Sequence, residues 1–447
     1  MSNDLEKSGP HNSFAADQDV ISKIPDEKVK YATVAEEMAD GPKESLQTWL
    51  QALGAFLVYA ATWGFLSAYG TYASYYETTL LPGSSTNSIS WVGTIGAILL
   101  IMGGVVSGPI YDQGYVRELL LSGSFLTILG IMMTSLATKY WHILLAQGFC
   151  VGLGSGILSN PAITLINASF SGNRTFALGL ATSGTSIAGI VYPIILSRLI
   201  PRVGFAWATR ILGFMTLGEL LIALAIMLPY TKRSKEKADR KSSLADFLDK
   251  DAFKDPGLMA LSVAFFLMWC GFWAVSFFIP TFGEYKLGAN AKSSSDFLVI
   301  YNAAGLVGRA LAVVVSNKFG VPETIPYFAF ATSAILLGWI GVKSVASYYV
   351  WVVLVSIIMN TLAVLCPAML VYVSPSKDVI GRRQGIAFSF TSAGVLVGTP
   401  VASALINLDT GSFWKMQVFI GACMAGGAGC LVFVQRQVTK NARKANP

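Results

Sequence analysis

Charged residues are scarce in this sequence, and their scarcity decides the class of protein. Asp, Glu, Lys and Arg together make up 13% of the 447 residues, whereas hydrophobic residues make up 53%. A soluble chain of this length would form about three domains, with about a quarter of its residues charged. The composition excludes that class and predicts a polytopic protein embedded in a lipid bilayer.

Patterns that would indicate an enzyme or a metal site are also missing. None of the five cysteines has the CxxC or Cys/His spacing of a disulfide framework or a zinc site. There is no HExxH motif, no GxSxG motif and no cluster of His and Asp at helical spacing. We therefore expect no enzymatic activity, no metal and no cofactor.

The net charge of +7 does not indicate a nucleic-acid-binding protein. Lys and Arg are concentrated in short loops between apolar runs, and mainly in the loops that share a side with the N-terminus. Such loops stay on the cytosolic side of a membrane, so the asymmetry predicts that both termini are cytosolic. We expect a multi-pass protein of the plasma membrane.

Twelve apolar runs of about 20 residues predict twelve transmembrane helices. The first six lie near residues 49–76, 89–111, 118–137, 141–166, 176–199 and 207–230. The second six lie near residues 256–281, 297–319, 325–343, 347–373, 384–408 and 414–435. The predicted fold is an all-α membrane protein with 12 transmembrane helices in two six-helix bundles.

The largest inner loop divides the chain into two halves of six helices. We expect a disordered cytosolic tail (1–48), an N-terminal six-helix bundle (49–230), a cytosolic linker with a short interfacial helix (231–255), a C-terminal six-helix bundle (256–435) and a cytosolic tail (436–447).

A short internal repeat supports this division. Three residues of the fifth predicted helix recur at identical spacing in the eleventh, namely Gly179, Thr185 and Ser186 in the former and Gly385, Thr391 and Ser392 in the latter. Paired halves are typical of transporters whose bundles enclose one site near the middle of the membrane and open it to alternate sides. Chance similarity between two helices rich in Gly and Ser is the alternative.

Arg309 is the first candidate for a substrate contact. It lies at the middle of the apolar run 297–319, where a charge costs roughly 2.5–3.5 kcal/mol on insertion scales. We expect it to face a watery cavity or an anionic group rather than lipid. Asn302, seven residues earlier, lies on the same helical face. Asn160, which precedes Pro161 in the fourth predicted helix, is a further candidate for a polar cavity residue.

The loop after the second predicted helix carries a candidate gating motif. Small residues, including Gly108, allow close helix approach, and Asp112 can meet a helix N-terminus or a basic side chain such as Arg117. Such a contact would latch the inner surface. The alternative is an ordinary tight loop, although a weaker copy of the motif occurs at 308–320.

With these residues in place, the chain resembles the major facilitator superfamily, and within it the fungal branch of the monocarboxylate porter family. The segments that carry the resemblance are WLQALGAF, TWGFLSAYGTYASYYE, ISWVGTI, SNPAITLI, SFSGNRTFALGLATSGTSIAG, GFAWATRILGF and IGRRQGIAFSFTSAGVLVGTP. The resemblance implies alternating-access transport of a small organic solute. It also adds Arg174 to the candidate gating motif, because Arg174 matches the basic start of the family's fifth helix.

Two departures from the family pattern concern coupling to protons. Proton-linked members carry an aspartate one turn before the arginine, where this sequence has Gly305. They also use a lysine in the first helix, where this sequence offers Tyr69 and Ser67. Tyr69 is therefore a candidate substrate contact in place of that lysine, and proton-coupled transport of lactate-like substrates is doubtful.

Glu219, halfway along the sixth predicted helix, is the candidate that would replace the missing carboxylate. Burial favours the protonated form of a glutamate, so Glu219 would bind and release a proton during transport. The alternative is a hydrogen-bonded structural residue away from the pathway.

The sequence thus predicts a secondary transporter, functional as a monomer, for a small organic solute carried with or without a proton. A single fixed cation and plentiful aromatic residues favour a carboxylate-bearing or amphipathic metabolite. Import and export remain open. The alternative function is a non-transporting membrane receptor or scaffold that retains the transporter fold.

Overall fold

A computed structural model of the chain describes residues 45–82, 84, 86–170, 173–231, 252–289, 291–376, 379–407 and 410–445. Across these residues the regular structure is helical, apart from one isolated bridge between Asn407 and Ser412. The predicted interfacial helix within 231–255 and nearly all of the predicted tail 1–48 lie outside the described residues.

The transmembrane helices are numbered α1 to α12. The first half contains α1 (Leu46–Leu80), α2 (Thr86–Asp112), α3 (Val116–Thr134), α4 (Tyr140–Ser169), α5 (174–203) and α6 (205–227). The second half contains α7 (Pro256–Leu287), α8 (Ala291–Phe319), α9 (Val321–Gly338), α10 (Val345–Tyr372), α11 (Ile380–Ala404) and α12 (Trp414–Ala445).

Helices α5 and α6 form a continuous helical segment, Arg174–Met227, of 54 residues. At a rise of about 1.5 Å per residue it would be about 80 Å long, more than twice the thickness of a bilayer core. Gly204 divides it, because its φ of +79° is left-handed and ends the helical path. Eleven apolar helices in the described chain therefore provide the twelve predicted crossings.

Several helices are longer than their apolar runs. Helix α7 continues to Leu287 and ends at Gly288 in the left-handed conformation, six residues beyond its predicted end. Helix α12 continues to Ala445, so most of the predicted tail 436–447 is helical. Hydropathy marks the part of a helix in the hydrocarbon, whereas backbone hydrogen bonding extends beyond it.

Two helix pairs make the most extensive contacts between the halves in the described chain. Helix α2 packs along α11, and α5 packs along α8. We call the side of the molecule on which α1 begins the inner side. Because α1 to α12 cross in alternation, α2, α8 and α12 end there, whereas α5, α9 and α11 begin there.

The first half contains π-helical turns in two of its helices. In α1 a π-helical turn spans Ala60–Gly64, and in α4 one spans Leu144–Val151. Such turns insert an extra residue into the helical repeat and occur often at functional sites. Helix α1 has a second such turn at Tyr76–Leu80, and its first turn contains Trp63, which contacts the second half as described below.

Candidate functional site

Arg309 lies at the boundary between the two halves. Its side chain belongs to α8 and is buried, with 6% of the residue exposed. The Nη1 group donates a hydrogen bond to the Ser186 hydroxyl of α5. The Nε group is buried and has no hydrogen-bond acceptor among the described residues. The guanidinium thus has a hydrogen-bond partner in the opposite half and a buried Nε donor without an acceptor in the described structure.

Aromatic side chains extend from Arg309 along the same boundary. Tyr59 of α1 and Tyr301 of α8 are close enough to Arg309 for electrostatic interaction. Tyr59 stacks on Trp63 with centroids 6.1 Å apart, and Trp63 stacks across the boundary on Trp273 of α7, also at 6.1 Å. The indole N–H groups of both tryptophans are buried without an acceptor in the described structure.

Asn302 shares the face of α8 that meets α5. Its Nδ2 donates to the Leu298 carbonyl at 3.0 Å, within its own helix. On α5, a methyl group added to Gly189 would lie 3.1 Å from the Asn302 Oδ1. Arg309 and Asn302 are therefore brought together on one face, at the seven-residue spacing noted in the sequence.

Asn160 and Tyr69 make their hydrogen bonds elsewhere. The Nδ2 of Asn160 donates to the Gly156 carbonyl of α4 at 2.9 Å and to the Leu100 carbonyl of α2 at 3.3 Å. The Tyr69 hydroxyl donates to the Ile89 carbonyl. The bonds to Leu100 and Ile89 join helices within the first half. The backbone carbonyl of Asn160 accepts a hydrogen bond from the Gln384 Nε2 of α11 at 3.5 Å.

Glu219 also lies within the first half. The Tyr192 hydroxyl of α5 donates to the Glu219 Oε2 of α6 at 2.5 Å. Tyr192 is fully buried, whereas Glu219 is half-buried. The structure thus gives Glu219 a hydrogen-bond partner between α5 and α6.

Asp112 joins the inner ends of α2 and α11. Its carboxylate accepts hydrogen bonds from the backbone N–H groups of Gly381 at 3.0 Å and Arg382 at 2.8 Å. The Arg382 Nε lies 3.4 Å from the same carboxylate. A carboxylate at a helix N-terminus satisfies free N–H groups and interacts favourably with the helix dipole.

The partners of the gating motif differ in part from those proposed from the sequence. The helix N-terminus that Asp112 contacts is that of α11. The basic side chain that it contacts is Arg382 of the opposite half. Arg117 is exposed in the first turn of α3. Arg174 is buried and donates from Nε and Nη2 to the Phe170 carbonyl, at 3.2 and 3.0 Å.

Close backbone contact accompanies the Asp112 cap. A methyl group on Gly108 would overlap the carbonyl oxygen of Gly381. Deeper along the same pair of helices, a methyl group on Gly385 would lie 2.5 Å from the carbonyl oxygen of Gly104. Only glycine allows α2 and α11 to approach this closely.

The repeated residues of α5 and α11 make matching contacts with the opposite half. Gly179 of α5 lies against the Arg309 carbonyl, as Gly385 of α11 lies against the Gly104 carbonyl. The match extends to the next turns of both helices. The Ser186 hydroxyl accepts from Arg309 of α8, and the Ser392 hydroxyl donates to the Ile98 carbonyl of α2 at 3.3 Å.

The sequence did not predict a role for three of these residues, Tyr59, Arg382 and Arg383. Tyr59 lies one turn before Trp63, and this spacing was the available signal for a shared aromatic face. Arg382 and Arg383 stand in the IGRRQG segment, where neighbouring arginines take different partners. Arg383 pairs with Asp255 of its own half at 2.6 Å, and Arg382 pairs across the boundary.

Comparisons with known proteins agree with the fold. The chain is 36% identical to the MFS-type transporter dbaD of Emericella nidulans over 387 residues, which cover 87% of this chain and 84% of the relative. It is 30% identical to the aspyridones efflux protein apdF of the same organism over 415 residues, which cover 93% and 82%. These relatives are named as transporters, not as enzymes.

Solved structures show the same architecture. The fucose transporter FucP in its outward conformation superposes with a TM-score of 0.66 at 15% identity, covering 86% of this chain and 98% of FucP. A bacterial homologue of ferroportin superposes with a TM-score of 0.63 at 13% identity, covering 89% and 100%. The sequence profile of the Major Facilitator Superfamily matches residues 51–377. The chain therefore belongs to the Major Facilitator Superfamily, whose members transport small solutes across membranes.

Proposed function

We propose that this protein exports a small organic anion, a metabolite that the cell makes, and that Arg309 binds the substrate's anionic group. The observation that carries the proposal is the unused Nε donor of a buried guanidinium at the boundary between the halves. A buried donor without an acceptor costs about 1–3 kcal/mol. A ligand that supplies an acceptor recovers this energy.

Two further unsatisfied groups at the boundary between the halves support the same class of substrate. The indole N–H groups of Trp63 and Trp273 are donors that lack acceptors, as is the Arg309 Nε group. A carboxylate, an enolate or a carbonyl-rich metabolite offers acceptors to donors of this kind. The stacked rings offer an apolar surface to the rest of such a molecule.

The transport cycle that we propose starts from a state closed on the inner side. The contacts between Asp112 and α11 join the halves at the inner surface, and the Arg309–Ser186 bond joins them at mid-depth. Rocking of the halves breaks both in turn. A substrate anion competes with Ser186 for Arg309, so binding weakens a contact that holds the empty site closed.

Export is favoured over import by one relative. The apdF protein is named as an efflux protein for aspyridones, and its similarity covers most of both chains. The alternative of a non-transporting receptor receives no support from any described side chain. Membership of the monocarboxylate porter family remains part of this proposal, supported by the sequence segments quoted above.

The remaining parts of the proposal concern placement and coupling. We place the inner side in the cytosol of a plasma-membrane protein that acts as a monomer, on the distribution of Lys and Arg. The two bundles correspond to 49–230 and 256–435. Glu219, bonded to Tyr192, is the proposed proton-binding group if transport is coupled to protons.

A comparison of metabolites tests this function. Cells with this chain, cells without it and cells carrying Arg309→Ala are grown in separate, parallel cultures. Small molecules are then measured in the cells and in the medium of each culture. We expect at least one anionic metabolite to leave the cell only when the unsubstituted chain is present. Identical media and identical cell contents would contradict export.

A further inference from the structure

A groove of about 600 Å³ lies between α9 and α12 of the second half. Its walls include Pro326, Tyr327 and Phe330 of α9 and Val432, Arg436 and Lys440 of α12. None of these residues takes part in the contacts between the halves described above. The groove is therefore a feature separate from the substrate site.

Two cations define one wall of the groove. Arg436 and Lys440 are exposed and four residues apart, so they lie on one face of α12. In the described part of the chain neither has a carboxylate partner. The opposite wall presents Tyr327 and Phe330, which are 71% and 46% exposed.

The nearby acidic residue, Glu323, lies at the edge of the groove, beside the lining residue Thr439. Glu323 stands in the first turn of α9, where its carboxylate lies beside Gly320 at the start of that helix. It also accepts a hydrogen bond from the Thr439 hydroxyl at 3.4 Å. A carboxylate at a helix N-terminus interacts with the helix dipole. Two cations against this one carboxylate leave a net positive charge at the groove.

The depth of these groups matches that of a membrane leaflet. Helix α9 begins at Val321 on the inner side, and α12 ends at Ala445 on the same side. Lys440 and Arg436 are therefore near the membrane surface, and Val432 and Phe330 are deeper. Charge at headgroup depth and apolar surface below it fit the two parts of a phospholipid.

We propose that this groove binds an anionic glycerophospholipid from the inner leaflet. Arg436 and Lys440 contact the phosphate and the anionic headgroup, and Tyr327 and Phe330 lie along the acyl chains. The proposal depends on the proposed membrane orientation only for the choice of leaflet. It requires neither export nor Arg309, so its failure and that of the proposed function are distinguishable.

Native mass spectrometry of the full chain in detergent measures this binding directly. Phosphatidylserine is titrated against phosphatidylcholine, with unsubstituted protein and with Arg436→Ala, Lys440→Ala and the double variant. A basic residue near an anionic lipid contributes enough for about a fivefold change in affinity. We expect about fivefold weaker phosphatidylserine binding for each single variant and about 25-fold weaker binding for the double variant.

Lys318→Ala is the matched control, because Lys318 is exposed at the inner end of α8 and does not line the groove. We expect it to bind phosphatidylserine as the unsubstituted chain does, and thermal unfolding in detergent checks that all variants fold. Equal binding of phosphatidylcholine, equal loss in Lys318→Ala, or unchanged binding in the double variant would overturn the proposal. Displacement by millimolar inorganic phosphate would identify a site for a soluble anion and would also overturn it.

Discussion

Arg309 of α8 donates a hydrogen bond to Ser186 of α5, so a buried cation of one half is bound to a hydroxyl of the other. This bond and the Asp112 cap on α11 are the two polar links on which the proposed cycle depends. Each of the first four predictions is paired with a control substitution at another position in the chain.

Arg309→Ala should abolish most transport without preventing membrane insertion. The substitution removes a charge-assisted hydrogen bond to the substrate, which is typically worth about 1.5–3 kcal/mol, so transport efficiency should fall about 10- to 150-fold. The measurement is flux of the anionic metabolite found in the comparison above, into inside-out vesicles. Arg202→Ala, an exposed arginine near the outer turn between α5 and α6, should keep full flux. Undiminished flux in Arg309→Ala would remove Arg309 from the mechanism.

Ser186→Ala should strengthen substrate binding. Without the serine hydroxyl, Arg309 loses its partner in the closed state and the substrate no longer has a competitor. The apparent KM for transport should fall about 2- to 10-fold, the range expected from one hydrogen bond. Ser392→Ala is the control, because this serine bonds to the Ile98 carbonyl and not to an arginine. A raised KM in Ser186→Ala would show that the hydroxyl contacts substrate instead.

Asp112→Ala should weaken closure of the inner side. The substitution leaves the first N–H groups of α11 without their acceptor, and loss of a helix cap costs about 0.5–2 kcal/mol. Spin labels on the inner ends of α2 and α11 should report more molecules with longer distances between the labels. The population of these molecules should increase about 2- to 30-fold. Glu118→Ala, an exposed carboxylate in the first turn of α3, should leave the distances unchanged.

Gly385→Ala should impair transport through sterics alone. The added methyl group would lie 2.5 Å from the Gly104 carbonyl oxygen, which is too close for van der Waals contact between α11 and α2. Flux should drop several-fold and the inner-side spin-label distances should lengthen. Gly429→Ala is the control, since a methyl group there meets nothing within 4 Å. Normal flux in Gly385→Ala would show that closure tolerates wider helix spacing.

Glu219→Gln tests proton coupling. Glutamine keeps the size of the side chain and an acceptor for the Tyr192 hydroxyl but carries no titratable proton. If Glu219 binds the coupled proton, vesicle transport should lose its dependence on pH between about pH 5 and 8. Tyr192→Phe removes the hydrogen bond and keeps the carboxylate, so it should retain pH dependence. An unchanged pH profile in Glu219→Gln would leave Glu219 with a packing role.

The fold was predictable from apolar run length to a large extent. Each of the twelve predicted runs corresponds to a crossing. The two runs on either side of Gly204 belong to one continuous helical segment and still make two crossings. Helix ends were less predictable. Helix α12 continues through a basic segment to Ala445, because hydrogen bonding along a helix does not stop where hydrophobic side chains do.

The candidate site was predictable only in its central residue and its neighbour on the same face. A charge in the middle of an apolar run identifies Arg309, and helical periodicity adds Asn302. Helical periodicity does not give the partner of a side chain on another helix. Asn160 and Tyr69 were therefore grouped with Arg309 by residue type. Their side chains donate to carbonyls of the first half, and their role in substrate binding stays a prediction.

The sequence by itself determined the bilayer environment, the twelve crossings, the superfamily and the cation in the middle of an apolar run, because each depends on local composition, on run length or on short motifs. Only the tertiary structure decided that Ser186 is the partner of Arg309, that Asp112 caps α11, and that Trp63 stacks on Trp273. These pairs are separated by about 120 to 270 residues of chain. Their contacts depend on how rigid helices pack against each other, and packing of that kind leaves no periodic signal along a single chain.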